Sequence, residues 1–285
     1  MEKKLKKFFF ITNPSRDRGL LVTRRLIAYL NARGVESHYL ESKTLGAGYY
    51  TDASIIPKGT DCVIVLGGDG TLIAAARDTG KLNLPLLGIN VGTLGFLADV
   101  EIENAESALD LVMNGEYEIE ARMMLQGRLN LKNRESPIDG IALNDIVMKM
   151  ASQVKASEFN LHVNGEFLGC FKSDGMVVCT PTGSTAYSLS AGGPIVDPMA
   201  QMLVITPICP HSLYSRSIIL SADDKVQLTA MDYNTVCAFD GHEAVDLEPG
   251  DYVEIQKSVQ STRIIRTTKS SFLTVLSNKL SGVLY

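Results

Sequence analysis

Three clusters of residues in this chain have types and spacings suited to chemistry. The first is Gly67-Gly68-Asp69-Gly70-Thr71, which follows the apolar run Cys62-Val63-Ile64-Val65-Leu66. Glycines in such a loop allow positive φ and let the backbone come close to a ligand. The free N–H groups at the start of the helix that follows suit a phosphate. A carboxylate beside a phosphate repels it unless it holds a metal or takes a proton from a hydroxyl. Both are roles in phosphoryl transfer, and Asp69 is the candidate for them. The plainer alternative is a tight turn with Asp69 as a helix cap. Two commoner nucleotide motifs do not fit. A Walker A loop ends in Gly-Lys-Ser/Thr, and no lysine is present here. The dinucleotide fingerprint needs Gly or Ala three residues after Gly70, where Ile73 stands.

The second cluster is Lys172-Ser173-Asp174-Gly175 and the run from Thr180 to Pro194, TPTGSTAYSLSAGGP. Thr182, Ser184 and Thr185 could cap a short helix, but capping uses only one or two hydroxyls. The surplus suits hydrogen bonds to ligand hydroxyls or phosphates, and Tyr187 offers a ring for a base to pack on. The third cluster is Asn144-Asp145, between the apolar pairs Ala142-Leu143 and Ile146-Val147. It reads as a strand-edge turn, or as an amide for a base edge with a carboxylate for a ribose diol.

The elements that must hold these clusters divide near residue 118. Before it, strands alternate with helices: Phe8 to Thr12, a helix over Leu20–Ala32, the buried run at Cys62, a helix over Thr71–Thr79, the strand Leu86-Leu87-Gly88-Ile89, and a helical face through Ala105, Ala108, Leu109 and Val112. That alternation predicts an α/β domain with a parallel sheet. After Glu120 apolar residues recur every second position, as in Phe159, Leu161 and Val163, and Asn164-Gly165 marks a hairpin. This part reads as β-rich, with a helical interruption near 184–191. A last helix, about Ser271 to Leu280, carries Phe272, Val275, Leu276 and Leu280 on one side. The expected domains are 1–118 and 119–270, with the helix in 271–285 packing back on the first.

Composition bounds the function. The 285 residues hold 27 Lys plus Arg against 32 Asp plus Glu, a formal charge of −5. At this size about three quarters of the unfolded surface is buried, and no staple is needed. A mildly acidic chain without a basic run argues against nucleic acid as a partner. Five scattered cysteines with no CxxC read as buried reduced thiols. The four histidines show no metal-ligand spacing, so no protein metal site is expected. Lys3, Lys4, Lys6 and Lys7 precede Phe8-Phe9-Phe10-Ile11, but four apolar residues fall short of the ~7–15 of a secretory segment. A cytoplasmic protein with no membrane partner is expected.

The clusters, taken together, resemble the bacterial NAD kinases. The match includes Gly88-Ile89-Asn90, Gly92-Thr93-Leu94-Gly95-Phe96, Asn144-Asp145, Ser173-Asp174-Gly175, TPTGSTAYSLSAGGP and Thr206-Pro207-Ile208-Cys209-Pro210-His211-Ser212-Leu213. It runs from about residue 8 to 280. The GGDGT loop alone is shared with lipid kinases and phosphofructokinases.

The resemblance implies an NAD kinase-like two-domain fold. It implies transfer of the γ-phosphoryl of ATP, with Mg²⁺ or another divalent cation, to the 2′-hydroxyl of the adenosine ribose of NAD. It makes Asp69 the proton acceptor and sets Gly67, Gly68, Gly70 and Thr71 on phosphates. Asn144 and Asp145 would hold the adenosine. Lys155, Lys172, Asp174 and His242 join the dinucleotide contacts, as do Asp69, Gly70, Thr182, Thr185, Ala186, Tyr187, Ser188 and Ser190. A homodimer or homotetramer is implied. Four departures stand out. Asp145 replaces the family's usual Glu, Lys172 stands where many members have Arg, His242 where many have Gln, and Ser217 follows Arg216 where Pro is usual. A lipid kinase would need an apolar acyl pocket, which the polar 180–190 run opposes. A non-catalytic NAD-binding sensor could dispense with Asp69.

Overall fold

The structure, a computed structural model, describes residues 2–41, 43–45, 48–92, 95–98, 100–151, 156–211, 216–267 and 271–281. Thr93, Leu94, Lys155, Ser212 and Leu213 lie outside the described residues. Contacts divide the chain into two units, Met1–Ala121 with Thr262–Tyr285, and Arg122–Ser261.

Unit one opens with β1 (Lys7–Thr12), α1 (Leu21–Asn31), β2 (Glu36–Glu41), β3 (Cys62–Gly67), α2 (Asp69–Thr79), β4 (Leu86–Asn90) and α3 (Ala105–Asn114). Its strands are parallel in the order β4-β3-β1-β2. Parallel neighbours need crossovers, and helices supply several of them. Phe8–Ile11 and Cys62–Leu66 are buried along their whole length, because helices cover the sheet on both faces. Leu26 and Leu30 of α1 and Ala105, Leu109 and Val112 of α3 share one core with Phe8, Phe10 and Ile64. Each fully buried Leu contributes about 1.5–3 kcal/mol over leaving it exposed.

The chain passes into unit two within β5 (Glu118–Asn130). There follow β6 (Ile138–Ala142), β7 (Asp145–Met150), β8 (Ser157–Val163), β9 (Glu166–Ser173), β10 (Gly175–Cys179), α4 (Tyr187–Ser190), β11 (Met202–Ile208), β12 (Ile218–Ser221), β13 (Val226–Ala230), β14 (Thr235–Phe239) and β15 (His242–Leu247). One antiparallel set joins β9, β8 and β13 to the start of β16 (Tyr252–Arg266); a second runs β12-β11-β10-β7-β14-β15. Phe159, Leu161, Leu228 and Val253 from the first meet Ile146, Met148, Val178 and Ile205 from the second in the core of this unit. Asn164 and Gly165 turn the β8–β9 hairpin with φ of +52° and +85°, as the Asn-Gly pair predicts.

β16 carries the chain back to unit one, where Ile264 pairs in parallel with Leu86 of β4 and Ile265 enters the core. α5 (Phe272–Ser281) follows, with Val275 buried, Phe272 and Leu276 half-buried and Leu273 exposed. Leu280's side chain lies outside the described residues.

Three expectations need correction. The single helix expected near 184–191 is a 3-10 turn over Thr182–Thr185 followed by α4, broken at Ala186 (φ −101°, ψ −128°). The Ser184 hydroxyl binds the Pro181 and Val196 backbone instead, a local bond that competes with helix. α2 begins at Asp69, two residues before the expected Thr71, with extended Gly68 as its N-cap. Of the cysteines, Cys62, Cys179 and Cys237 are buried, but Cys170 and Cys209 are exposed.

Candidate functional site

In unit one the strand β3 delivers Asp69 at the first position of α2, and its carboxylate does not cap that helix. It reaches a backbone segment instead. Oδ2 accepts the Phe96 N–H at 2.8 Å, and Oδ1 accepts those of Leu97 and Ala98 at 3.0 and 3.1 Å. A carboxylate has about four acceptor positions, so roughly one is left for a ligand. The approach is so close that a Cβ on Gly95 would overlap Asp69 Oδ1. Thr71 is buried and its hydroxyl accepts from the Asn13 amide at 3.1 Å, while a Cβ on Gly67 would collide with the Thr71 side chain. Gly70 is exposed and Gly68 half-buried with open space at its Cα, so the front of the loop is accessible.

In unit two a cavity of about 390 Å³ is lined by Asn144, Asp145, Val147, Lys149, Ala186, Tyr187, Val236, Ala238, Asp240, Gly241 and Ala244. Its floor follows from strand periodicity. Asp145, Val147 and Lys149 alternate along β7, while Ile146 and Met148 point the other way into the core. Val147 stands opposite Ala238 of β14 and Lys149 opposite Val236. The small side chain of Ala238 leaves the depression open.

Asn144 and Asp145 are held by Asp240. Its carboxylate accepts the N–H groups of Leu143, Asn144 and Asp145 at 2.7, 2.7 and 3.1 Å. Thr180 fixes the same stretch from the other side, its hydroxyl donating to the Leu143 carbonyl at 2.6 Å. Gly183 passes so close to the Asn144 backbone that a Cβ there would overlap it. The two side chains are left for something else. Asn144 Oδ1 is buried and has no hydrogen-bond partner among the described residues. Asp145 is 5% exposed, and among the described residues no hydrogen bond reaches its carboxylate oxygens. Burial, and then the charge of Asp240, pushes the Asp145 carboxyl up to about 7. A buried acceptor beside a buried carboxylate, both opening on one cavity, suits a ligand with an N–H or hydroxyl donor for each.

The other expected residues divide by place. Ala186 and Tyr187 line this cavity, with Tyr187 37% exposed. Thr182, Thr185 and Ser190 lie on the same turn and short helix. Thr182 is buried beside Arg122, and the Thr185 hydroxyl returns to the Thr182 carbonyl. Ser188 is fully buried against Thr206 at 3.1 Å and does not reach the cavity. Ser184 and Ser188 thus spend their hydroxyls inside the fold. Lys172 is exposed on β9, and Asp174, just beyond it, is half-buried; neither lines the cavity. His242 stands across the Asp240-Gly241 turn, its Nε2 buried without a partner among the described residues, and its ring does not line the cavity.

Sequence reasoning missed Lys149, Val236, Ala238 and Asp240 as site residues. Period-two counting from Asp145 would have found Lys149. Asp-Gly at 240–241 is by residue type a turn signal and nothing more.

Among the described residues no group of three or more His, Cys, Asp or Glu side chains is placed to hold a metal. No helix of the described residues is long and apolar enough to cross a membrane.

Residues 31–117 match the family model described as the ATP-NAD kinase N-terminal domain, and residues 143–267 that of the ATP-NAD kinase C-terminal domain. The NAD kinase of Lachnospira eligens is 38% identical, with 97% of this chain and 100% of that protein aligned. That of a Thermoanaerobacter species is 39% identical over 97% of this chain and 99% of its own. Among solved structures, yeast NADH kinase complexed with NADH superposes with a TM-score of 0.83 at 24% identity, covering 98% of this chain and 88% of that one. The Archaeoglobus fulgidus NAD kinase in complex with ATP gives 0.77 at 23% identity, covering 96% and 98%. These two likenesses establish the fold.

Proposed function

The chain belongs to the NAD kinase family and is a phosphotransferase that makes NADP from NAD and ATP, and we propose that its residues divide the reaction as follows. The adenosine of NAD occupies the cavity of unit two. Asn144 Oδ1 accepts from the exocyclic amine of the adenine, and Asp145 accepts from the ribose diol. Tyr187 supplies the ring on which a flat part of the dinucleotide packs. The observation that carries this reading is the pair of acceptors at Asn144 and Asp145, both buried and, among the described residues, with no hydrogen bond to Asn144 Oδ1 or to the Asp145 carboxylate. Asp145 is one methylene shorter than the Glu usual in the family, so one of its ribose contacts runs through water.

Unit one serves the donor. The accessible front of Gly67-Gly68-Asp69-Gly70 and the start of α2 receive the phosphates of ATP, with Thr71 shaping the loop from behind. Asp69, with its remaining acceptor position, takes the proton from the 2′-hydroxyl of the adenosine ribose as that oxygen attacks the γ-phosphorus. The bond from the γ-phosphorus to the β,γ-bridging oxygen breaks and ADP leaves.

The phosphate charge calls for Mg²⁺. Such an ion keeps several waters and would be held by the triphosphate oxygens, since the one open acceptor position of Asp69 is assigned to the proton. The ion would neutralise charge on the transferring group. The assembly is a homodimer or homotetramer and works in the cytoplasm.

The decisive experiment incubates the purified protein with NAD, ATP and Mg²⁺ and reads NADP with an NADP-specific dehydrogenase. NADP formation that disappears when NAD, ATP or Mg²⁺ is left out supports the reading. A protein that binds NAD yet forms no NADP would be a sensor, and the assignment of Asp69 would fall.

A further inference from the structure

One peptide group in unit one joins a guanidinium to the Asp69 carboxylate. Arg266 Nη1 donates to the Leu97 carbonyl at 3.1 Å. Across the same C–N bond, the Ala98 N–H donates to Asp69 Oδ1 at 3.1 Å. Hydrogen bonds in series polarise one another, so a cation on the carbonyl end strengthens the N–H as a donor.

Arg266 is well placed for this. Its side chain is 11% exposed, and its Nε is fixed on Glu120 Oε2 at 2.9 Å. The planar fork serves two acceptors at once, which a lysine ammonium on a flexible stem does less rigidly. The residue before this peptide is gripped separately. The Phe96 ring lies 6.2 Å from that of Phe272, and Lys279 Nζ stands 4.6 Å from its centroid. Ala98 is seated against β4, where a Cβ on Gly88 would collide with it.

We propose that Arg266 is a positioning residue for the phosphoryl transfer: through the Leu97–Ala98 peptide it sets the direction in which the Asp69 carboxylate presents its open acceptor position. The inference rests on the reading of Asp69 as proton acceptor. With three of about four acceptor positions taken by amides, the remaining direction is dictated by where those amides stand. A group misplaced by about 1 Å can cost about a hundredfold in rate.

The test is a double-mutant cycle on the full chain, measuring kcat and KM for both substrates in Arg266→Gln, Asp69→Asn and the double variant. Arg266→Gln is expected to lower kcat about ten- to a hundredfold, the size of one charge-assisted hydrogen bond, with both KM values within about twofold. In the Asp69→Asn background the same change is expected to cost less than about twofold, because residues acting as a unit are non-additive. Arg266→Lys is expected to recover part of the rate. It replaces Arg266→Gln in the cycle should thermal melting show that the Gln variant does not fold. Losses that multiply in the double variant would overturn the positioning role and leave Asp69 as the base. Wild-type turnover in Asp69→Asn would overturn the assignment of Asp69, and the role of Arg266 with it.

Discussion

Asp240 accepts the backbone N–H of Asn144 at 2.7 Å, so the residue that turns β14 into β15 also aims the residue that opens on the cavity. Asp69 does the same kind of work on Phe96, Leu97 and Ala98. In each unit a carboxylate gathers three consecutive amides: Asp240 at the entry to β7, Asp69 on the segment after β4. The two differ in what they leave free. Asp240 holds its neighbours so that Asn144 and Asp145 can act, whereas Asp69 is itself the candidate acceptor.

Replacing Asp69 by Asn should therefore do two things. Loss of the base is expected to lower kcat about 10²–10⁴-fold with little change in NAD affinity. The amide NH₂ would also face a backbone N–H, costing about 1–3 kcal/mol of stability. Melting should drop by several degrees, at about 2–4 °C per kcal/mol for a domain of this class. Near-normal turnover would rule out the assignment.

Asp145→Ala should weaken NAD binding roughly five- to 150-fold, the equivalent of about 1–3 kcal/mol. Asn144→Ala should act in the same direction. Asp145→Glu should bind NAD as tightly or tighter, since it restores the longer reach. Calorimetric titration of NAD into folded Asp145→Ala decides the matter: wild-type affinity would confine the pair to a structural turn.

The raised carboxyl of Asp145 makes both stability and binding depend on pH. Its folded value of about 7 lies above the ordinary 3.8, so between those limits the folded chain holds a proton that the unfolded chain has lost. Its contribution to stability therefore falls as pH rises through that window, and Asp145→Asn should remove that slope from denaturation curves. A ribose hydroxyl donates to the ionised form. NAD binding should thus tighten from pH 6 to 8, by at most about tenfold per unit, and Asp145→Asn should flatten the profile. An NAD affinity independent of pH in the wild type would mean that Asp145 does not meet the ribose.

Tyr187→Ala should raise KM for NAD and spare that for ATP. Because Tyr187 is 37% exposed, the melting temperature should change little. A large fall in melting temperature with unchanged KM would make Tyr187 a packing residue.

Much of this was legible in the sequence where a pattern repeats. The unbroken run Cys62–Leu66 gave away a strand covered on both faces, and the alternation through Phe159, Leu161 and Val163 gave a half-buried one. Asn164-Gly165 marked its hairpin because positive φ at two successive positions suits few other pairs. What the Asp69 carboxylate touches was not legible, because its partners are backbone N–H groups, which every residue but proline carries. Gly95 was the one local hint. The hydroxyls of the 180–190 run misled in part. Their number suggested ligand contacts, yet Thr180, Ser184 and Ser188 are consumed by the Leu143 carbonyl, the Pro181 and Val196 backbone, and Thr206. The far wall of the cavity, Val236 and Ala238, depended on register between β7 and β14, which distant sequence does not reveal.

That unit one is completed by Thr262–Tyr285 bears on how the chain is made. A ribosome delivers Met1–Ala121 first and must then emit all of Arg122–Ser261 before Ile264, Ile265 and Arg266 emerge. At about 5–20 residues per second that interval is on the order of ten seconds. During it the Leu86 edge of β4 lacks its partner, and the core around Ile64 and Leu87 lacks Ile265. The amides of Phe96, Leu97 and Ala98 can meet Asp69 early, but the Arg266 guanidinium on the Leu97 carbonyl is added only when translation is nearly finished.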